Sequence, residues 1–232
     1  LEKTFTSVNF NMMIMVIYAL ITIAIFGMWY YARYEGNFLP SPKKTFNPMM
    51  IVAIVILVPG TQFAANFIAN LTGYIRPDWL QQYNELFETS GITDTTFVTV
   101  LYSVILAPIC EELIFRGVTM RCARKALPFA LANLIQAALF GLFHLNWIQG
   151  IYAFALGIVL GYVCERGGSI YYSMGLHLLF NLWGTLSGFF PDPGNSVVVF
   201  VVVIVVTIVS LVAGFVLFNK GRRKLPINST GI

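Results

Sequence analysis

The stretch TTFVTVLYSVILAPICEELIFRG, residues Thr95–Gly117, places charged residues at the end of an apolar helix. Its first sixteen residues, Thr95–Cys110, carry no charge and are followed directly by Glu111 and Glu112. Ionisable groups within an apolar helix are costly, and their default interpretation is a functional site. The rest of the chain is therefore expected to provide a partner for these carboxylates and an apolar wall around them.

Composition indicates a polytopic membrane protein. Of 232 residues, 58% are hydrophobic and only 10% are charged, whereas about 25% of the residues of a soluble domain are charged. The net charge of +4 does not indicate nucleic-acid binding, because the basic residues lie in loops where they set membrane orientation. Cys110, Cys122 and Cys164 have no CxxC spacing, so neither a disulfide framework nor a zinc ribbon is predicted.

Apolar segments of membrane-spanning length predict an all-α, polytopic transmembrane helical bundle of about seven spans. Pro59 and Gly60 predict a kink or break in the second span. The predicted spans are Phe10–Tyr31, Met49–Leu71, Thr95–Lys125, Pro128–Asn146, Ile148–Cys164, Ser169–Phe189 and Val197–Phe218.

The most polar segment, Tyr74–Asp94, has apolar residues at helical spacing and predicts a short helix at the membrane surface. A plain connecting loop is the alternative. This segment divides the chain into N-terminal helices with an interfacial segment (1–94), a core that carries the chemistry (95–188), and a C-terminal helix with a basic tail (189–232).

The basic residues alternate between loops. They follow the first, third and fifth spans and the C-terminal helix, whereas the other loops between spans contain only Arg76. The positive-inside rule then places the N-terminus outside and the C-terminus in the cytoplasm.

Few residues within the spans are able to carry chemistry. The only histidines are His144 and His177, and Glu111 and Glu112 are the acidic residues placed most deeply in an apolar pattern. All three aspartates lie outside the spans, which argues against an aspartyl intramembrane protease. The chain has no HExxH and no GxSG motif. A glutamate–histidine constellation remains.

Hairpin geometry brings two of these residues to the same depth. Glu111 and His144 are equally distant along the chain from the expected turn at Leu127–Pro128. Span boundaries drawn from hydropathy alone would place them near opposite faces, but the third helix is expected to continue to Lys125. The site is then expected below the cytoplasmic surface.

Helical spacing separates the two carboxylates. Glu112 and Arg116 are four residues apart, in the order that favours an ion pair. Glu111 points about 100° away on the helix. Desolvated and without a cation of its own, Glu111 suits a base that takes a proton from water.

Two further pairs share a helix face. Phe140 lies four residues before His144, and His177 lies four residues before Asn181. The side chains of His177 and Asn181 could stabilise a tetrahedral oxyanion. The alternative is packing, because a single buried histidine is more often a satisfied core residue.

Together these residues resemble the CPBP family, which comprises CAAX proteases and bacteriocin-processing enzymes and is also called the Abi domain. Its three motifs are EExxxR, FxxxH and HxxxN. They read here as Glu111–Arg116, Phe140–His144 and His177–Asn181. The likeness extends over about Thr95–Gly188, and three motifs in order on separate apolar helices are more specific than any one of them.

The resemblance implies a helical intramembrane endopeptidase. By analogy Glu111 activates a water molecule with help from His144. His177 and Asn181 would bind the oxyanion, and the remaining motif residues would support the site (Glu112, Arg116 and Phe140).

Whether a metal takes part is left open by the resemblance. Glu111, His144 and His177 are candidate ligands of a zinc ion with an open position for water. The metal-free, water-activating mechanism is preferred, so no cofactor is required.

The expected partners are a peptide or protein substrate and the lipid bilayer, with no nucleic acid; the sequence does not indicate an oligomeric state. The chain is expected in a bacterial plasma membrane, with its site opening toward the cytoplasm. Peptide or bacteriocin maturation is a suggested role. Alternatives are a non-proteolytic scaffold, an immunity or signalling protein, and an ion-coupled transporter, for which no internal repeat is found.

Overall fold

The computed structural model describes residues 2–35, 46–90, 96–187 and 196–222, and within these ranges it is helical apart from short turns. Eight helices are named here in chain order. Their bounds are α1 Glu2–Tyr30, α2 Pro48–Ile75, α3 Pro77–Ser90, α4 Phe97–Arg124, α5 Phe129–Phe143, α6 Trp147–Gly167, α7 Ile170–Ser187 and α8 Val197–Gly221.

The predicted helical bundle is confirmed, but the count of seven spans is not. Within the described residues, five helices are long and apolar enough to cross a membrane: α1, α2, α4, α6 and α8. Helix α5 has only 15 residues, because the chain turns at Leu145, before the predicted end at Asn146. Helix α7 has 18 residues and is not among the five, since polar side chains such as His177 and Asn181 lower its hydropathy.

Helix α4 positions the central motif. Thr96 caps its first turn by accepting a hydrogen bond from the Thr99 N–H, and the helix continues to Arg124, as the hairpin argument required. Two π-helical segments, Leu101–Leu106 and Leu113–Met120, flank the α-helical turn Ala107–Glu112. Such segments are rare and occur often at functional sites.

Helices α2 and α8, both outside the predicted core, pack closely together. The Ser210 hydroxyl of α8 accepts a hydrogen bond from the Gly60 N–H and donates one to the Ile56 carbonyl. It thus inserts into the helical bonding of α2 next to Pro59, and α2 continues through this point without a break. The division of the chain at 94 and 188 stays a prediction.

The polar segment contains a helix, α3, as predicted, and not a plain loop. Trp79 of α3 stacks on Trp147 at the start of α6, with 5.3 Å between ring centroids. Arg76 lies over the Trp79 ring and forms an exposed ion pair with Asp78 at 2.6 Å. The hydrogen bond from Arg76 lowers the pKa of Asp78. These contacts fix α3 against the end of the bundle where α6 begins.

The basic residues gather at the opposite end. Arg124 of α4 pairs with Glu165 near the end of α6 at 3.1 Å, and Tyr162 donates a hydrogen bond to Asn219 near the end of α8. The described basic residues of this end include Arg121, Arg124, Lys125, Arg166, Lys220 and Arg222. Several residues of the orientation and aspartate arguments lie outside the described residues: Lys43, Lys44, Asp94, Asp192, Arg223 and Lys224.

Candidate active site

A cavity of about 790 Å³ lies between the helices. Its wall includes Glu111, Phe140, His144, His177 and Asn181, which come from α4, α5 and α7. The three sequence motifs therefore meet at one cavity. The two other predicted residues, Glu112 and Arg116, are fully buried behind its wall.

The cavity lies toward the end of the bundle that lacks the basic cluster. Its lining includes the first half of α4 (99–111), the last residues of α5, the second half of α7 and the start of α6. The basic residues of α4 and α6 lie at the other ends of these same helices. Glu111 lies near the middle of α4. The face of the membrane toward which the cavity opens stays a prediction.

The side of α4 that faces away from the cavity, called the dry side below, contains the predicted ion pair between Glu112 and Arg116. Arg116 Nη1 donates to Glu112 Oε1 at 2.8 Å, and both side chains are 0% exposed. Arg116 also donates to the carbonyl oxygen of Gly157 in α6 at 3.3 Å. A buried charge of this kind needs its partner, because unpaired it would bear the full cost of desolvation.

His177 lies between the two glutamates. Its Nδ1 donates to Glu112 Oε1 at 3.0 Å, and its Nε2 is 3.6 Å from Glu111 Oε2. Because Nδ1 carries the proton of the neutral ring, Nε2 presents a lone pair toward Glu111. The sequence argument missed the contact between His177 and Glu112. It expected Glu111 to have no cation of its own and to lie near an imidazole, and His177 is that imidazole.

Phe140 explains the FxxxH spacing. At the end of α5 its carbonyl oxygen accepts a hydrogen bond from His144 Nδ1 at 2.8 Å, which leaves His144 Nε2 unprotonated in the neutral ring. The Phe140 ring packs edge-on against His144 and His177, at centroid distances of 5.0 and 5.7 Å. Arg116 lies over the same ring at 4.5 Å. Phe140 thus orients both imidazoles.

The turn after His144 is strained. Leu145 has a φ of 53°, a left-handed conformation that costs a leucine about 1–2 kcal/mol. Leu145 is 93% exposed, so packing of its side chain within the protein does not offset this strain. The conformation ends α5 at His144 and places that side chain at the cavity. Strain of this kind is concentrated at functional sites.

Asn181 is anchored by the π-helical segment of α4. Its amide nitrogen donates to the carbonyl oxygen of Ser103 at 2.8 Å. This bond uses one of the two amide hydrogens. The second N–H is the donor that the expected oxyanion role requires.

The candidate zinc ligands do not form a complete set. Among the described residues, no group of three His, Cys, Asp or Glu side chains is close enough to hold a metal ion. Glu111 and His177 are adjacent, but His144 does not join them as a third ligand. No step is therefore derived through a metal.

The cavity has polar residues that the motifs did not predict. Gln62 and Asn66 of α2 line it, as do Tyr102 of α4 and Gln149 and Tyr152 of α6. The sequence does contain one sign of these residues, because Gln62 and Asn66 are two amides four residues apart in an apolar helix. Which helices face the cavity, however, depends on packing between distant segments.

The geometry suits the binding of a water molecule. The 3.6 Å between Glu111 Oε2 and His177 Nε2 is too long for a direct hydrogen bond. A water molecule about 2.8 Å from each atom would bridge both acceptors with its two hydrogens. It would then lie beside a carboxylate that is only 13% exposed, in a cavity large enough for a peptide segment.

Comparison with known families gave one match. The family described as type II CAAX prenyl endopeptidase Rce1-like matches residues 93–183, which include all three motifs. No curated protein and no solved structure matches the chain. A protease family implies a peptide or protein substrate, and the apolar helices imply a membrane environment. Residues 93–183 of the chain are therefore similar to the Rce1-like CAAX protease family, and this similarity supports a CAAX-type protease.

Proposed function

We propose that the protein is an intramembrane endopeptidase that hydrolyses a peptide bond with a water molecule activated by Glu111. One observation carries this proposal: Glu111 is the only carboxylate among the described residues that line the cavity, and it lies beside His177 Nε2. A carboxylate that is only 13% exposed and lies next to an imidazole is suited to act as a general base.

The reaction balances without any other group. Glu111 removes one proton from the water, and the hydroxide attacks the carbonyl carbon of the substrate. The free N–H of Asn181 donates to the resulting oxyanion. Glu111 then returns the proton to the departing amine as the C–N bond breaks.

The two histidines have positioning roles in this scheme. His177 holds the attacking water through Nε2, because its Nδ1 is fixed by Glu112. This revises the expected oxyanion role of His177, for which Nε2 would need a proton. His144 Nε2 accepts a hydrogen bond from the N–H of the scissile bond and so orients the substrate.

Cleavage by purified protein tests the proposal. In detergent, the wild-type protein is expected to cut a fluorogenic peptide that ends in a farnesylated CAAX sequence, also after dialysis against EDTA. Glu111→Ala and His144→Ala are expected to be inactive. Glu165→Gln, which removes a carboxylate far from the cavity, is the matched control. Equal cleavage by the Glu111→Ala protein would refute this mechanism. No cleavage by the wild-type protein would favour a non-proteolytic scaffold, immunity or signalling role.

We further propose that α5 and α7 cross the membrane together with the five longer apolar helices, with the basic ends in the cytoplasm. The cavity then opens toward the opposite face, so substrates for peptide or bacteriocin maturation would enter from there. In intact bacteria, an impermeant maleimide is expected to label Gln81→Cys on α3 but not Cys122 at the basic end. Labelling of Cys122 alone would reverse this orientation.

A further inference from the structure

We propose that three uncharged side chains of the cavity wall bind the terminal carboxylate of the substrate. They are called the neutral donor set here and are Asn66 of α2, Tyr102 of α4 and Gln149 of α6, all of which line the cavity. The inference rests on the proposed peptidase function and adds the residues that select a substrate by its C-terminus. Asn66 lies outside residues 93–183, which match the family.

The neutral donor set has hydrogen-bond donors that are not used within the described part of the chain. Asn66 is exposed, and its Oδ1 accepts from Gln62 Nε2 at 3.4 Å, but its Nδ2 has no acceptor among the described residues. The same holds there for the side-chain amide of Gln149 and for the Tyr102 hydroxyl. Neither of these two groups is among the buried side-chain atoms without a partner, so both remain accessible to a ligand.

Tyr102 and Gln149 lie at a similar level along the bundle. Tyr102 precedes Glu111 by nine residues, which is about 13 Å along α4. Gln149 precedes Gly157 by eight residues, which is about 12 Å along α6. The Gly157 carbonyl oxygen is bound by Arg116 and so marks the level of the buried ion pair. Both donors are therefore displaced from the catalytic level toward the end of the bundle where α6 begins.

Asn66 lies in the same direction from the catalytic level. Helices α2 and α7 begin at the same end of the bundle, since the N–H that precedes α2 donates to the hydroxyl of Tyr172. Gly184 lies about 10 Å beyond His177 along α7. An added Cβ at Gly184 would be 3.8 Å from Gln62 Nε2, and Asn66 lies one turn farther along α2. The neutral donor set thus surrounds one end of the cavity from three helices.

The spacing matches a short C-terminal leaving group. A CAAX sequence ends three residues after its prenylated cysteine, and three extended residues span about 10 Å. Asn181, the proposed oxyanion donor, lies about 6 Å beyond His177 in the direction of the neutral donor set. A scissile carbonyl at Asn181 therefore places the terminal carboxylate within reach of these donors.

The charges of the cavity favour this direction of the substrate. Among the described residues that line the cavity there is no lysine or arginine, and the Glu111 carboxylate would repel a second carboxylate nearby. The terminal carboxylate is therefore most stable far from Glu111, where neutral N–H and O–H groups bind it through charge-assisted hydrogen bonds. Gln149 also lies in the first turn of α6, where the helix dipole favours an anion.

Binding to a catalytically inactive protein tests the inference. The Glu111→Gln protein in detergent is titrated with a fluorescent farnesylated CAAX peptide in two forms, one with a free C-terminal acid and one with a C-terminal amide. This parent protein should bind the acid form about tenfold more tightly, because hydrogen bonds to a charged group are the stronger ones. Asn66→Leu, Tyr102→Phe and Gln149→Leu, combined in one protein, should abolish the preference for the acid.

The design separates recognition of the carboxylate from a structural effect. The combined substitutions should change affinity for the amide form by less than about threefold, since that form lacks the charge that the donors bind. Asn70→Leu, which removes an exposed amide of α2 that does not line the cavity, is the matched control and should retain the acid preference. In the active enzyme, the combined substitutions should raise KM for the acid peptide and change kcat much less.

Two results would overturn the inference: equal binding of the acid and amide forms by the parent protein, or an acid preference that survives the combined substitutions. The failures are distinguishable. An acid preference that depends on the neutral donor set, without any cleavage by the wild-type protein, would refute the peptidase function alone. Cleavage with an unchanged KM in the enzyme with the combined substitutions would refute this inference alone.

Discussion

Each side of α4 carries a glutamate, but the two glutamates differ in their exposure and in their partners. Glu111 faces the cavity at 13% exposure and has no arginine or lysine within ion-pair distance among the described residues. Glu112, the next residue, is 0% exposed and is bound by Arg116 and His177. The comparison teaches that the dry side fixes the position of the site, whereas the side facing the cavity is available for chemistry.

His177 connects the two sides. Its Nδ1 donates to the buried carboxylate of Glu112, and its Nε2 faces the carboxylate of Glu111 at the cavity. A change on the dry side should therefore reduce stability first, and a change on the cavity side should reduce rate without affecting stability.

The Glu112→Gln substitution should have the largest effect, which is a loss of stability. The substitution leaves Arg116 buried without an anion, which should cost about 3–5 kcal/mol of unfolding free energy. Denaturant unfolding in detergent measures this loss. Glu111→Gln, the adjacent control, should remain within about 0.5 kcal/mol of the wild type. Equal losses in the two variants would remove the distinction between the sides.

On the cavity side, Asn181→Leu should lower kcat about 100-fold, because it removes the proposed oxyanion donor. Peptide hydrolysis per mole of folded protein measures the effect. KM should change little. A variant that retains the wild-type kcat would show that Asn181 only packs against α4.

On α5, in the buried polar contacts next to Arg116, Gln136→Leu should cost about 1–2 kcal/mol of unfolding free energy. The fully buried Gln136 donates to the carbonyl oxygen of Gly157, which Arg116 also contacts, and to Asn133 Oδ1. Thermal unfolding should detect the loss, with kcat of the folded fraction unchanged. A large fall in kcat without a loss of stability would contradict the role of these contacts as support.

The smallest expected effect is a gain. Leu145→Gly relieves the left-handed strain, and the greater entropy of glycine in the unfolded chain offsets part of this, so the net stabilisation should be about 0.5 kcal/mol. A higher Tm in detergent would show it. If the exposed Leu145 side chain stabilises the protein through the detergent or lipid, Tm should fall instead.

Local spacing in the sequence was sufficient to predict part of the candidate site. The Glu112–Arg116 pair follows from a four-residue spacing. The presence of Glu111 and His144 at one cavity follows from a hairpin with its turn near Leu127–Pro128. The contact between His177 and Glu112 was not predictable, because it depends on how α7 rotates against α4.

The remaining differences also arise from packing. The early end of α5 depends on one residue in the left-handed conformation, Leu145, and no local sequence pattern predicts this conformation. The end of the bundle at which the cavity lies depends on how distant helices pack together. Gln62 was visible as a polar residue in an apolar helix, but only the packing of α2 against α7 brings it to the site.

The most direct test compares hydrolysis by Glu111→Gln and Glu112→Gln, each measured per mole of folded protein on the same farnesylated peptide. Glu111→Gln should retain the wild-type Tm and lose at least 100-fold in kcat, since it removes the general base. Glu112→Gln should lower Tm strongly and lose less rate in its folded fraction. A Glu111→Gln protein with the wild-type rate would contradict the account.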